Sequence, residues 1–193
     1  MGYVGGTALD NRRFVEAVVF RYRAGIPWRD LPERFGKGSR STSTARGAQK
    51  WGAGDEALGR GRGGLRTKTH AAVAARGNPV ACHLTGGQAS ALAGADAPPP
   101  GIAAPTPIAD RGYDAEARVL APLRDAGKTA RIPPRRNRKD QRGYDRALYA
   151  ARHLIEHFFC KRKQFRASAT RCDKTKRNFR ANVHLAATVI ILN

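Results

Sequence analysis

Apolar positions fall at helical spacing near both ends of the chain and at strand spacing in the middle. Phe14, Val15, Val18, Val19 and Tyr22 share one helical face, which predicts a helix over residues 10–24. Asp10 or Asn11 can cap that helix, and Gly25 and Pro27 stop it. A second short element starts at Trp28-Arg29-Asp30-Leu31-Pro32 and ends near Phe35, giving a small helical hairpin. From residue 36 to 64 the periodicity vanishes among Gly, Ser, Thr and Arg, as in a linker. Apolar runs at 65–73 and 80–85 flank Gly77-Asn78-Pro79, the pattern of a β-hairpin. The Ala- and Pro-rich stretch 89–107 predicts a poor helix running into a loop. A short buried strand over 107–110 should follow, then a helix to about residue 126 and a strand over 129–132 halted by Pro133-Pro134. A long helix over 144–165 follows and residues 177–192 close the chain, a mixed α/β order.

Charge changes the picture more than composition does. Lys and Arg number 36 against 15 Asp and Glu, a net charge of +21. A surface that positive repels itself unless a polyanion neutralises it, so nucleic acid is the leading partner class. Residues 131–180 hold 17 basic and 4 acidic side chains, so 17 − 4 = +13 lies in one block. That block also contains Leu148, Leu154, Ile155, Phe158, Phe159 and Phe165, so it predicts an ordered basic surface rather than a tail. The most apolar run, residues 186–192, is far short of the roughly 18 residues that span a bilayer. No apolar stretch follows a basic start at the N-terminus, which predicts no secretory signal. Cys82, Cys160 and Cys172 are widely spaced, without the pairing of a zinc module or a disulfide framework. These features predict a cytoplasmic, nucleoid-associated protein with no membrane role.

Two motifs carry less than they suggest. Gly59-Arg60-Gly61-Arg62-Gly63-Gly64 has the glycine spacing of a dinucleotide loop, but the strand before, the helix after and the downstream acid are missing. His153-Leu154-Ile155-Glu156-His157 has an inverted zincin spacing without a downstream third ligand. The helix around Glu156 is more informative. Tyr149, Arg152, Glu156 and Lys163 lie 3, 4 and 7 residues apart, within an arc of roughly 60° at ~100° per residue. They would place a carboxylate between Arg and Lys in a groove, or else form a plain Arg152–Glu156 ion pair worth ~0.3–0.5 kcal/mol. Asp110 ends a short apolar strand, where acids in α/β sheets face the ligand crevice. Two such acids in a basic protein suit phosphodiester chemistry, in which carboxylates hold Mg²⁺ or Mn²⁺ and Lys and Arg hold phosphates.

At these residues the sequence resembles the DDE-type insertion-sequence transposases of the family-five group, related to family four. Tyr149-x2-Arg152-x3-Glu156-x6-Lys163 is similar to the motif around that family's last acid. Ile108-Ala109-Asp110-Arg111-Gly112-Tyr113-Asp114 resembles the segment of its second acid. Gly63-Gly64-Leu65-x-Thr67-Lys68, Gly77-Asn78-Pro79, the run from Ile132 to Lys139 and Arg171-x-Asp173-Lys174-Thr175 also fit. Residues 10–36 resemble the family's N-terminal DNA-binding domain. The likeness covers about residues 8–36 and 57–193.

The resemblance implies an α/β, ribonuclease-H-like catalytic fold, here incomplete, with a small N-terminal helical segment. It divides the chain into a helical DNA-binding segment (1–36), a Gly/Ser/Arg-rich linker carrying a deletion (37–62) and the transposase domain (63–193). It implies cleavage and strand transfer of an insertion sequence by two-metal chemistry with Mg²⁺ or Mn²⁺. Asp110 and Glu156 would be catalytic and metal-binding. Tyr149, Arg152, Lys163, Arg135, Arg136, Arg138 and Lys139 would contact double-stranded DNA at element ends and target, with a homodimer compatible. The first acid belongs upstream of the hairpin, where Ser41-Thr42-Ser43-Thr44 stands instead, and Ser41 aligns best with the missing Asp. Asp55 and Glu56 fall in what should be a flexible loop. The expectation is a truncated, degenerate copy with impaired catalysis, the alternative being an inactive DNA-binding remnant. An unrelated basic RNA-binding protein shares the composition and would prefer structured RNA.

Overall fold

The structure, a computed structural model, describes residues 10–36, 56–61, 64–95 and 104–193. Helix α1 (Asn11–Ala24) begins where the Asp10 carboxylate accepts the Arg13 N–H at 3.0 Å, satisfying a donor that the first turn leaves unpaired. It ends at Gly25, whose φ of +70° and N–H bond to the Arg21 carbonyl at 2.8 Å form a left-handed cap. A β-carbon at Gly25 would lie 2.9 Å from the Arg166 Cβ, so the glycine also permits close approach of a later helix. Phe14 and Val15, assigned to the buried face by their spacing, are 57% and 56% exposed. The buried residue of α1 is Ala17, and the helix packs on two short elements, Glu33–Phe35 and the later helix at Arg166–Ala169. Two 3₁₀ turns, Trp28–Asp30 and Glu33–Phe35, complete this segment, with Phe35 set 5.2 Å from Phe20 and Arg34 over both rings.

Strands β1 (Gly59–Gly61), β2 (Gly64–Val73) and β3 (Pro79–Gly86) form an antiparallel sheet in that order. Register places His70 opposite His83 and Thr69 opposite Leu84. The hairpin closes through Gly77 (φ +83°), whose conformation a side chain would resist. Strand β1 corrects the expectation of a linker through residue 62. Gly-Arg-Gly pairs through its backbone and leaves no apolar period to detect, while the Thr67 hydroxyl donates to the Ala57 carbonyl at 2.6 Å and anchors the entry.

The two strands expected at 107–110 and 129–132 reduce to one parallel bridge between Ile108 and Arg131. Parallel pairs are the weaker kind, and among the described residues no third strand flanks this one. The expected helix after Asp110 is instead a 3₁₀ turn (Arg111–Tyr113), a π turn (Glu116–Leu120) and the short α2 (Ala121–Asp125). The long helix expected at 144–165 is divided into α3 (Arg146–Ala150), α4 (His153–Lys163) and α5 (Arg166–Ala169). At the first break the N–H groups of Arg152, Leu154 and Ile155 bond three residues back rather than four, tightening the turn. Helix α6 (Lys176–Leu192) closes the chain.

Two apolar clusters hold these pieces. Ala57, Leu84, Phe179 and Val183, with Cys82 against them, join one face of the sheet to α6. Val119, Leu120 and Ile132 form the other cluster, with Leu92, Ala109 and Tyr113 around it. Helix α4 buries Phe158 and Arg162, whereas Leu148, expected in the core, is 45% exposed.

Candidate nucleic-acid and catalytic site

Asp110 follows the Ile108 bridge and is exposed, with its Oδ1 accepting the Gly112 N–H at 2.7 Å at the start of the 3₁₀ turn. The Tyr113 hydroxyl lies nearby: burial, then the Asp110 charge, pushes its pKa above the ordinary tyrosine value. Tyr113 reaches toward His70 Nδ1 over a long 3.5 Å, and His70 Nε2 lies 2.8 Å from the Thr85 hydroxyl. Burial, with the charges of His83 and Lys68, lowers the His70 pKa, so this imidazole is neutral at neutral pH. A Tyr113–His70–Thr85 chain thus links the turn after Asp110 to the sheet, and no sequence spacing signals it.

Glu156 sits in the first turn of α4, half-exposed, with Oε1 2.6 Å from Arg152 Nη2. The Arg152 guanidinium lies 5.8 Å over the Tyr149 ring, which meets Tyr144 edge-on at 5.4 Å. Three of the four residues in the helical motif are therefore in mutual contact, and Lys163 stands exposed at the far end of α4. The ion pair foreseen as the simpler reading is formed. His153 and His157 stack edge to face at 5.0 Å on the exposed side of the same helix.

The basic residues divide into two sets. The Arg138 guanidinium binds Asp114 and reaches Glu116 at 2.8 Å, while that of Arg135 donates to the Arg111 and Gly112 carbonyls at 3.3 and 3.1 Å. Arg136 and Lys139 are exposed. Asp114, which the sequence did not single out, is the centre of this arrangement and is buried. Burial alone would raise its pKa, but the Arg135 N–H and the Arg142 and Arg138 guanidinium groups outweigh it and hold the carboxyl below the ordinary aspartate value.

Two further residues were missed. Arg171 donates to the carbonyls of Glu56 (2.9 Å), Ala57 (3.3 Å), Asp173 (3.0 Å) and Lys174 (3.2 Å) and to the Thr67 hydroxyl. Glu56, expected in a flexible loop, accepts the Lys176 N–H at 2.5 Å and caps α6. Asp55 and Ser41 lie outside the described residues.

A divalent cation on three acids is the family's expected cofactor, and the described residues do not make up its site. Among them no three His, Cys, Asp or Glu side chains group closely enough to hold a metal ion. Asp110 and Glu156 are held by separate elements and share no partner.

Comparison with known proteins gives the class. The family described as "Transposase DDE domain" matches residues 36–192, well over half of the chain, and "Putative transposase of IS4/5 family" matches residues 2–55. A relative described as "Putative transposase for insertion sequence element IS6501", from Brucella ovis (strain ATCC 25840 / 63/290 / NCTC 10512), is 36% identical over 129 residues. That alignment covers 66% of this chain and 99% of the relative. No solved structure matches. The protein is a transposase of the DDE-domain class. Within that class it belongs to the IS4/5 insertion-sequence transposases. The DDE domain implies a ribonuclease-H-like fold, represented here by mixed helices and a small antiparallel sheet. No described helix is long and apolar enough to cross a membrane.

Proposed function

We propose that this chain acts on duplex DNA as an insertion-sequence transposase whose strand cleavage and transfer use Asp110 and Glu156 and are impaired because Ser41 replaces the first acid. The observation that carries this reading is the Tyr149–Arg152–Glu156 cluster on α3 and α4, joined to the family match over the same residues. Arg152 holds the Glu156 carboxylate in one orientation, and Tyr149 supports the guanidinium from its ring face. Arg136, Lys139 and Lys163 are exposed cations suited to phosphate contact.

The test is strand nicking of duplex DNA carrying element ends in Mg²⁺, for the wild type, Glu156→Ala and Ser41→Asp. Weak nicking abolished by Glu156→Ala and raised by Ser41→Asp is expected. Nicking indifferent to Glu156→Ala would remove the assigned acids. A second reading, an inactive DNA-binding remnant, is favoured by the engagement of Glu156 with Arg152. It requires DNA binding without Mg²⁺ and no nicking by either the wild type or Ser41→Asp.

A further inference from the structure

We infer that Asp114 is the positioning residue that presents the 135–142 segment to the phosphate backbone of duplex DNA, so that removing its negative charge weakens DNA binding. The inference rests on the DNA-binding reading above and adds to it a named organiser and a division of labour among the cations.

Among the described residues Asp114 is the one buried carboxylate, its side chain 1% exposed. Three donors from one downstream segment converge on it: the Arg135 N–H at 2.7 Å, Arg142 Nη2 at 2.7 Å, and Arg138 Nη1. Glu116 extends the cluster, accepting from Arg138 at 2.8 Å and Arg124 at 2.6 Å. The Gln141 amide donates to the Arg135 and Arg138 carbonyls at 3.0 and 2.8 Å, closing the segment on itself. Arg135 also donates to the carbonyls of Arg111 and Gly112, the residues directly after Asp110.

The Arg135, Arg138 and Arg142 side chains are therefore tied back to the 111–114 turn, and Gln141 to the segment's own carbonyls, while Arg135 and Gln141 remain exposed. Arg136 and Lys139 face solvent and make no hydrogen bond or ion pair among the described residues. Without the two acids, Arg135, Arg138 and Arg142 would be like charges crowded on one short loop. The carboxylates turn that repulsion into a fixed shape, and two cations are left at defined places beside the strand end that bears Asp110. Arg138, a sequence candidate for DNA contact, is assigned to the anchor; Arg136 and Lys139 are assigned to the phosphates.

A count of charges predicts the opposite of a positioning role. Replacing Asp114 by Asn raises the net charge from +21 to +22, which alone should strengthen attraction to DNA. If Asp114 positions the segment, Asp114→Asn binds a mixed-sequence duplex on the order of tenfold more weakly. The slope of log affinity against log salt then falls by up to ~2, as two phosphate contacts are lost. The exposed Asp125→Asn makes the same charge change and should leave affinity level or slightly tighter. Glu116→Gln, on a half-exposed side chain that folding tolerates, should weaken binding in the same direction as Asp114→Asn.

Near-UV circular dichroism verifies that each variant is folded, and hydrogen exchange at 135–142 should rise in Asp114→Asn. If Asp114→Asn does not fold, Glu116→Gln against Asp125→Asn decides. Wild-type binding that falls steeply with salt, together with Asp114→Asn and Glu116→Gln matching Asp125→Asn, would overturn the positioning role and leave the DNA reading intact. Wild-type protein that fails to bind, or binds without salt dependence, would overturn both.

Discussion

Asp114 and Glu116 gather arginines, whereas Asp10, Asp110, Asp145 and Glu56 accept backbone N–H groups. Asp114 has a pKa below that of a free aspartate, so the sign of its pH dependence is fixed. A depressed carboxyl contributes its full stability above the unfolded value near ~4 and loses it as pH falls through its own lower value. Asp114→Asn should destabilise the protein by roughly 2–3 kcal/mol at neutral pH, less than the ~3–5 of a fully buried pair because its arginines reach solvent. Urea midpoints measured across pH should show the gap from wild type narrowing below about pH 4. Glu156 behaves differently, because its partner and its own side chain are both partly in water. Glu156→Ala should change the free energy of urea unfolding by no more than about 0.5 kcal/mol, so any loss of nicking cannot be assigned to unfolding. A strand end and a helical spacing single out Asp110 and Glu156 in the sequence as the proposed acids. Nothing comparable singles out Asp114, since its partners lie 21, 24 and 28 residues away in a segment that reads simply as basic.

At the scale of elements, the turns, the caps, α1 and the β2–β3 hairpin followed local rules, whereas the 107–132 segment and the 144–165 helix did not. Asp10, Gly25, Thr175 and the hairpin at Gly77 stand where chain chemistry puts them, because each effect is complete within a few residues. Gly25 joins local and tertiary demands. Gly25→Ala should cost about 1–2 kcal/mol for the left-handed backbone, and more because its β-carbon would meet Arg166. A fall in thermal midpoint larger than that of Gly127→Ala, where φ is also positive but the space is open, would verify the contact. The helix foreseen over 144–165 breaks at Arg152 although no Pro or Gly marks the place. Beyond the break, α4 buries Phe158 and Arg162, the latter donating to the Ser168 carbonyl and hydroxyl at 3.0 and 2.9 Å. Phe158→Ala should therefore cost about 3–5 kcal/mol by calorimetry, while Leu148→Ala, on an exposed position, should be close to neutral.

Across the whole molecule, two small cores and a sheet of three described strands support a large positive charge. Self-repulsion at +21 should make stability rise with added salt, whereas affinity for duplex DNA should fall over the same range. Parallel titrations of urea midpoint and DNA binding against salt would show the two trends crossing. The parallel pairing at Ile108 and Arg131 remains a single bridge, so the segment of Asp110 depends on the Asp114 network and the Tyr113 contact for its position. Arg171 has the matching role on the other side of the sheet, tying the entry of β1 to the start of α6.

The sequence by itself determined the family, the basic block and most turns, because those are properties of neighbouring residues or of fixed spacing. Only the tertiary structure decided which arginines are anchors and which stay free, that Glu56 caps a helix 120 residues away, and that two expected strands shrink to a bridge. Those outcomes depend on which distant groups meet and on what solvent each loses, and no local pattern carries that information.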